Sequence, residues 1–473
     1  TVMGDSNWLE RGVQGIARGI SDGTVRAADV LAAQLAQTDA REPLCGAYIT
    51  QTRARADAAA ARVDAAVAAG VSVGPLAGVP IAVKDIFDID GLPTTAGMPV
   101  LKDNVATGNA TVIDRLDDAG ALITGKLTLT EGVYAEHRLP FPAPRNPWHA
   151  EYWSGASSSG TGVAVAGGLC VAALGSETGG SIKLPAAVNG VTALKPSWGR
   201  VSRHGVFELA ATLDHVGPFG RSVADVASLL QVIAGPDPAD PTAAQIAVPD
   251  YLAAMDAGLE GMRIGIDPAW IADGVDPQTR AALDDAVSVL RDAGGTVKNV
   301  AVPDVSAMIW DWFPICAVQT ALAHRETFPS RRNEYGPALV QLLDMGLELT
   351  GLQYQALILK RERFRGELAA LFTRVDALAI PVLAFPVPTL ERMASIDNDL
   401  IAGLHRFTCP FNLSGSPGLV LPCGVNSERM PIVFQLVGRH FEEERLIAAG
   451  AAFQAATDWH LRRPDFGGTG AVA

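Results

Sequence analysis

Apolar residues recur along this chain in two rhythms. Over residues 7–69 the spacing is helical, with Thr24 as the expected N-cap of a helix over 25–38. A second, Ala-rich run over 51–69 is free of Gly and Pro. From Gly74 onward short dense apolar runs take over. Pro80-Ile-Ala-Val83 predicts a buried strand ending at Lys84-Asp85, and a helical stretch over 110–119 leads into a second strand over 121–124. Further on, the pattern predicts a helix over 222–234, a turn cluster over 235–241, a strand over 262–266 and an amphipathic helix over 277–293. Residues 306–372 read as mostly helical and carry Trp310, Trp312, Phe313 and Tyr354. Two more buried strands are expected over 377–381 and 419–423. Strands alternating with helices predict an α/β class with a parallel or mixed sheet, and no internal repeat is present.

Residues 145–220 depart from both rhythms, being rich in Gly, Ser and Thr yet also apolar. A linker of that composition would be polar, so the glycines point to close backbone packing. The uncharged stretch 152–176 holds a dense apolar part, 162–175, too short for a bilayer and expected to be a buried core helix. Familiar motifs fail in detail. Gly120 to Leu127 resembles a phosphate loop, but Leu127 stands where a Ser or Thr would hold Mg²⁺, which favours a strand ending in a Gly turn. Gly160-Thr-Gly162 lacks the third Gly and the preceding strand of a dinucleotide fingerprint. Neither G-x-S-x-G nor H-E-x-x-H occurs. Asp85, Asp88 and Asp90 alternate with Ile86, Phe87 and Ile89, as in a half-buried turn rather than a calcium loop.

Composition narrows the class. Of 473 residues, 48% are hydrophobic and 19% charged, which excludes disorder as the main state. A net charge of −14 argues against a nucleic-acid partner. Cys45, Cys170, Cys316, Cys409 and Cys423 are odd in number and form no C-x-x-C pair, fitting a reducing cytosol without a disulfide framework. No signal-peptide pattern and no membrane span is read, so a cytoplasmic protein is expected.

The strongest chemical signal is a pair of Ser/Gly motifs. Gly155-Ala-Ser157-Ser158-Ser159-Gly160-Thr161 is followed by Gly175-Ser-Glu-Thr178-Gly179-Gly180-Ser181-Ile-Lys183, with room for a helix and a turn between them. Thr178-Gly-Gly-Ser181 offers consecutive backbone N–H groups suited to a developing oxyanion, beside a candidate nucleophilic hydroxyl. No histidine lies within either motif. A buried lysine of depressed pKa can serve as base, and Lys84 terminates an apolar strand. On pattern alone, a packed Gly/Ser turn with an incidental lysine remains an equal alternative.

These residues resemble the amidase signature family. The likeness runs through Gly78-Val-Pro-Ile-Ala-Val-Lys84-Asp85, Gly125-Lys126, the stretch 153–220 with Lys195-Pro196 and Asp214-His-Val-Gly217-Pro218, then Phe407 to Pro417 and Pro431 to Gly438. The resemblance implies an amidase signature fold, with a central mixed sheet flanked by helices on both faces. It implies a helical segment over 1–70 packing on a domain over 71–466, with 306–372 as a cap or oligomer surface. A disordered tail is expected over 467–473.

The family implies Ser181 as nucleophile, Ser157 as a bridging serine in a cis peptide and Lys84 as base, with Ser158 in support. Backbone N–H groups of Thr178, Gly179, Gly180 and Ser181 would hold the oxyanion. Neither cofactor nor metal is implied. Three positions depart from the usual pattern: Ala156 for Gly, Glu177 for Asp and Lys183 for Arg. Family members cleave C–N bonds beside a carbonyl in amides, aryl amides, carbamates, ureas or glutamine. The expected substrate is therefore a small amide-type molecule, with Tyr134 and Trp153 as candidate lining and a homodimer as a candidate assembly. The alternative is a glutaminase subunit with a partner protein, for which Arg325, Arg361 and Asp397 are available charges. A non-catalytic scaffold is disfavoured by the intact Lys84, Ser157 and Ser181. His137, His149 and His204 read as structural.

Overall fold

The computed structural model describes residues 7–466; the tail over 467–473 lies outside the described residues. The first strands are β1 (Tyr48–Gln51), β2 (Pro80–Lys84), β3 (Leu122–Leu127) and β4 (Ala172–Glu177). The central ones are β5 (Thr192–Lys195), β6 (His215–Gly220), β7 (Arg263–Ile266) and β8 (Thr296–Asn299). The last are β9 (Ala377–Pro381), β10 (Gly418–Val425) and β11 (Pro431–Gly438). Among the described residues these eleven strands form one sheet in the order β1-β3-β2-β4-β6-β5-β10-β11-β9-β7-β8. It is mixed: β3, β2 and β4 run parallel, as do β9, β7 and β8, and the strands between pair antiparallel.

Strand residues alternate between two faces, and the core divides accordingly. Ile81, Val83, Leu174, Leu194, Leu419 and Leu421 belong to one hydrophobic cluster, which also takes in the helices Val223–Ile233, Pro277–Asp292 and Glu443–Ala456. Their neighbours Ala82, Ala173, Ala193 and Val420 belong to a second, shared with the helices Ser159–Gly167 and Lys183–Asn189. Helices thus cover both faces, and the central strands read as continuous apolar runs because neither side meets water.

Several local expectations are corrected. Residues 7–69 are not all helical: the helix Ala27–Cys45 gives way to β1, which pairs antiparallel with β3. Thr24 is not the N-cap. That helix starts at Ala27, and its first N–H groups are taken by the Asp64 carboxylate of the neighbouring helix, Ala27 N at 2.6 Å and Ala28 N at 3.2 Å. The apolar stretch 162–175 is not one helix, but the end of Ser159–Gly167 followed by the start of β4. Gly125 sits inside β3 rather than in a turn after it. Lys126 then forms a buried ion pair with Asp85 at 2.7 Å, so the acidic loop is tied to the sheet. Residues 306–372 resolve into the helices Ser306–Ala323, Pro337–Glu348 and Gly351–Leu371.

Candidate active site

The ends of β2 and β4 bring the two Ser/Gly motifs to one place. Lys84 is the last residue of β2 and is fully buried. Its Nζ lies 2.7 Å from Ser157 Oγ, 2.9 Å from Ser158 Oγ and 2.9 Å from Ser176 Oγ. Ser157 and Ser158 precede the helix Ser159–Gly167, and the peptide bond between Ala156 and Ser157 is cis. Ser176, on β4, lies within the second Ser/Gly motif but was not read as a site residue, because its place on a strand beside Lys84 depends on the fold. Gly175 makes room here, because a Cβ at that position would stand 3.0 Å from Ser158 Oγ and 2.7 Å from the Phe219 ring.

Hydrogen-bond polarity follows from these contacts. Ser158 Oγ donates to the Ser176 carbonyl at 3.0 Å, so toward Lys84 it can only accept. Burial holds the Lys84 amine well below the ordinary lysine range, against the pull of the Asp214 and Glu177 charges. A neutral amine has two N–H groups and one lone pair. With Ser158 accepting one N–H, the lone pair of the neutral amine is open to the hydroxyl of Ser157 at 2.7 Å or of Ser176 at 2.9 Å.

The loop after β4 is clamped through its carbonyls. Thr178 O accepts from Trp312 Nε1 at 2.9 Å and Gly179 O from Cys409 Sγ at 3.3 Å, while His215 Nδ1 is shared between Leu213 O at 2.6 Å and Glu177 O at 3.2 Å. Gly180 O accepts from Leu184 N at 2.7 Å. In a planar trans peptide the following N–H points the opposite way, so the N–H groups of Gly179, Gly180 and Ser181 each point away from the donor that holds the preceding carbonyl. Among the described residues none of those three N–H groups has an acceptor. Gly179 is required by proximity: a Cβ there would lie 2.7 Å from Trp312 Cζ2.

Side chains complete the clamp. Thr178 Oγ1 donates to Asp214 Oδ1 at 2.6 Å, and Glu177 Oε2 accepts from Ile182 N and Lys183 N, each at 2.9 Å. Glu177 and Lys183 form a fully buried ion pair at 3.1 Å. The two departures at 177 and 183 thus face each other, the longer acid meeting the shorter base. His215 and Cys409 lie in stretches that resemble the family and Trp312 among the divergent aromatics, but nothing in the sequence tied them to this loop, since each reaches it from a distant element.

Lys84, Ser157 and Ser158 are therefore brought together, whereas Ser181, half-buried at the end of the loop after β4, makes no hydrogen bond to Ser157 Oγ. Tyr134 is half-buried against the main cluster, and burial next to Cys316 and Cys409 pushes its phenol up. It follows Val133, whose φ of 65° is uncommon for a β-branched residue. Trp153 packs instead on the second cluster, its N–H donating to Pro388 O at 3.0 Å. Of the divergent aromatics, Trp312 is buried on the loop, while Trp310 is 42% exposed and stacks on Phe313. Arg361 is buried and bonds Leu413 O and Thr212, Asp397 caps the helix Asn398–His405, and Arg325 sits at the surface beside Glu326. His137 is bonded to Ser159 Oγ at 2.8 Å.

Residues 29–447 match the Amidase family. The chain is 43% identical to the AmiD protein of Mycobacterium tuberculosis over 440 residues, covering 92% of each chain. It is 37% identical to a glutamyl-tRNA(Gln) amidotransferase subunit from Chloroflexus aurantiacus, covering 94% of this chain and 96% of the other. Among solved structures, 6-aminohexanoate cyclic dimer hydrolase superposes with a TM-score of 0.87 at 26% identity, covering 96% of this chain and 99% of that one. The chain belongs to the amidase signature family, and its mixed sheet flanked by helices is the fold of those enzymes.

Proposed function

We propose that this protein is a serine hydrolase of C–N bonds adjacent to a carbonyl, acting on a small or aryl amide, carbamate or urea through an acyl-enzyme on Ser181. The reading is carried by one observation: a fully buried amine, Lys84, lies 2.7 Å from Ser157 Oγ. Lys84 takes the Ser157 proton while Ser157 takes that of Ser181, whose Oγ attacks the carbonyl carbon. The free N–H groups of Gly179, Gly180 and Ser181 receive the oxyanion. Ser157 then protonates the departing nitrogen, and water releases the acyl group along the reverse proton route. Ser158 holds Lys84 in register.

The 37% identity with an amidotransferase subunit favours a second reading, a glutaminase working with a partner protein. It is the weaker of the two, because Arg361 and Asp397 are engaged within the fold rather than offered to a glutamine backbone. One aniline leaving group carried on an acetamide, a carbamate and a urea separates the cases. Aniline release by the native chain and not by Ser181→Ala supports the hydrolase and ranks the carbonyl class. Release from none of the three, with glutamine cleaved once a partner is added, supports the second reading.

A further inference from the structure

Across a small cavity from Ser176, a partner of Lys84, lies a carboxylate that the reaction above does not use. A small cavity of about 10 Å³ is bounded by Val133, Ser176, Arg203, Glu208 and Asp214. Ser176, on one wall, contacts Lys84 Nζ at 2.9 Å. Asp214, on the other, accepts from Thr178 Oγ1 at 2.6 Å, from Leu209 N at 2.9 Å and from Ala210 N at 3.1 Å. One carboxylate therefore grips the loop that would hold the oxyanion and shares a cavity with Ser176, a direct partner of the base.

We propose that Asp214 is a positioning residue for amide cleavage: it anchors Thr178 and supplies the negative charge that steadies Lys84 while Lys84 carries a proton. This rests on the Ser181–Ser157–Lys84 reading. During acylation the Ser181 hydroxyl proton passes to Ser157 Oγ and the Ser157 proton to Lys84 Nζ. The new Oγ–C bond forms as the carbonyl π pair moves onto oxygen. An ammonium thus appears where burial disfavours it, and a nearby anion offsets part of that penalty.

The charges of Asp214 and Glu177 both favour the protonated form of Lys84, Asp214 more strongly. Glu177 is already paired with Lys183. Asp214 in turn faces Arg203 and Glu208 from its own loop, 3.7 Å apart and opposite in sign, Thr178 from the catalytic loop and Cys316 from the helix Ser306–Ala323. His215 beside it is held neutral by burial and by Lys195. Burial lifts Asp214 to about 6, so its charge is present at neutral pH and lost on acidification.

The test is the pH profile of kcat/KM for the native enzyme, Asp214→Asn and Thr178→Val. Asparagine keeps an oxygen for Thr178 and removes the charge; valine removes the hydrogen bond and keeps the charge. Asp214→Asn is expected to move the acidic limb down by about one pH unit, as Lys84 loses its counter-charge, and to lower the plateau roughly tenfold. Thr178→Val is expected to lower the plateau with the limb in place. An unmoved limb in a folded Asp214→Asn overturns the proposal.

Should that variant not fold, Arg203→Gln and Glu208→Gln carry the same question. The first must shift the limb up and the second down, and two unmoved limbs overturn the proposal. Ser181→Ala and Lys84→Met in the same assay separate the two levels. Full turnover in either removes the underlying reading. Inactivity in both, with unmoved limbs elsewhere, removes only the role of Asp214.

Discussion

Replacing Trp312 with Phe is expected to slow turnover while leaving substrate affinity nearly unchanged. The indole Nε1 donates to Thr178 O at 2.9 Å, and Trp312 is only 4% exposed, so solvent cannot replace the lost donor. A buried acceptor left unpaired costs about 1–3 kcal/mol. If about 1.4 kcal/mol of that is felt as the Thr178–Gly179 peptide turns from its transition-state orientation, kcat falls about tenfold. The same loss changes stability little. At about 2 cal/mol/K per residue, a chain of this size needs about 1 kcal/mol per degree, so Tm drops by about 1–3 degrees. Gly179→Ala is the companion variant. Its methyl would stand 2.7 Å from Cζ2 and 2.8 Å from Cε2 of the indole, too close without a shift of the loop. Phenylalanine removes that clash, so Gly179→Ala/Trp312→Phe is expected to turn over faster than Gly179→Ala alone. The assay is aniline release, giving kcat and KM for all four proteins, with thermal unfolding alongside. A Trp312→Phe enzyme with native kcat, or strictly additive losses in the double variant, refutes the clamp.

Two further outcomes are expected. Glu177→Gln leaves the Lys183 ammonium unpaired in the core, a loss of about 3–5 kcal/mol that thermal unfolding reads as a drop of several degrees; Glu177→Gln/Lys183→Met recovers most of it, since replacing both charges is far cheaper than stranding one. On the acidic side kcat/KM falls as Lys84 gains its proton, because only the neutral amine accepts from Ser157; His137→Gln leaves that limb in place, His137 being held at about 4 by burial and bonded to Ser159 rather than to the site.

Where the sequence succeeded, the signal was local. Pro80-Ile-Ala-Val83 is apolar, short and followed by Lys84-Asp85, so a buried strand delivering a lysine could be read directly, and the Gly-rich loops around Ser157 and Ser181 stood out by composition. The apolar stretch 162–175 was ambiguous, because a buried helix and a buried strand both lack a polar face. β6 was missed: Pro218 argues against a central strand, although the strand pairs with both β4 and β5. The clamp on the loop after β4 was illegible for a different reason, although Asp214, His215 and Cys409 lie in stretches that resemble the family. Trp312 and Cys409 reach it across 134 and 230 residues of chain, His215 from β6 and Asp214 from just before it. No periodicity records which distant donor meets which carbonyl. The N-cap of Ala27–Cys45 failed likewise, since its acceptor, Asp64, comes from another helix.

The most direct measurement is intact-mass spectrometry and peptide mapping after mixing the enzyme with an activated carbamate whose acyl group leaves slowly. One adduct per chain, located on Ser181 and absent from Ser181→Ala, is the expected result. An adduct on another residue, or full amide turnover by Ser181→Ala, contradicts the assignment of Ser181 as the nucleophile.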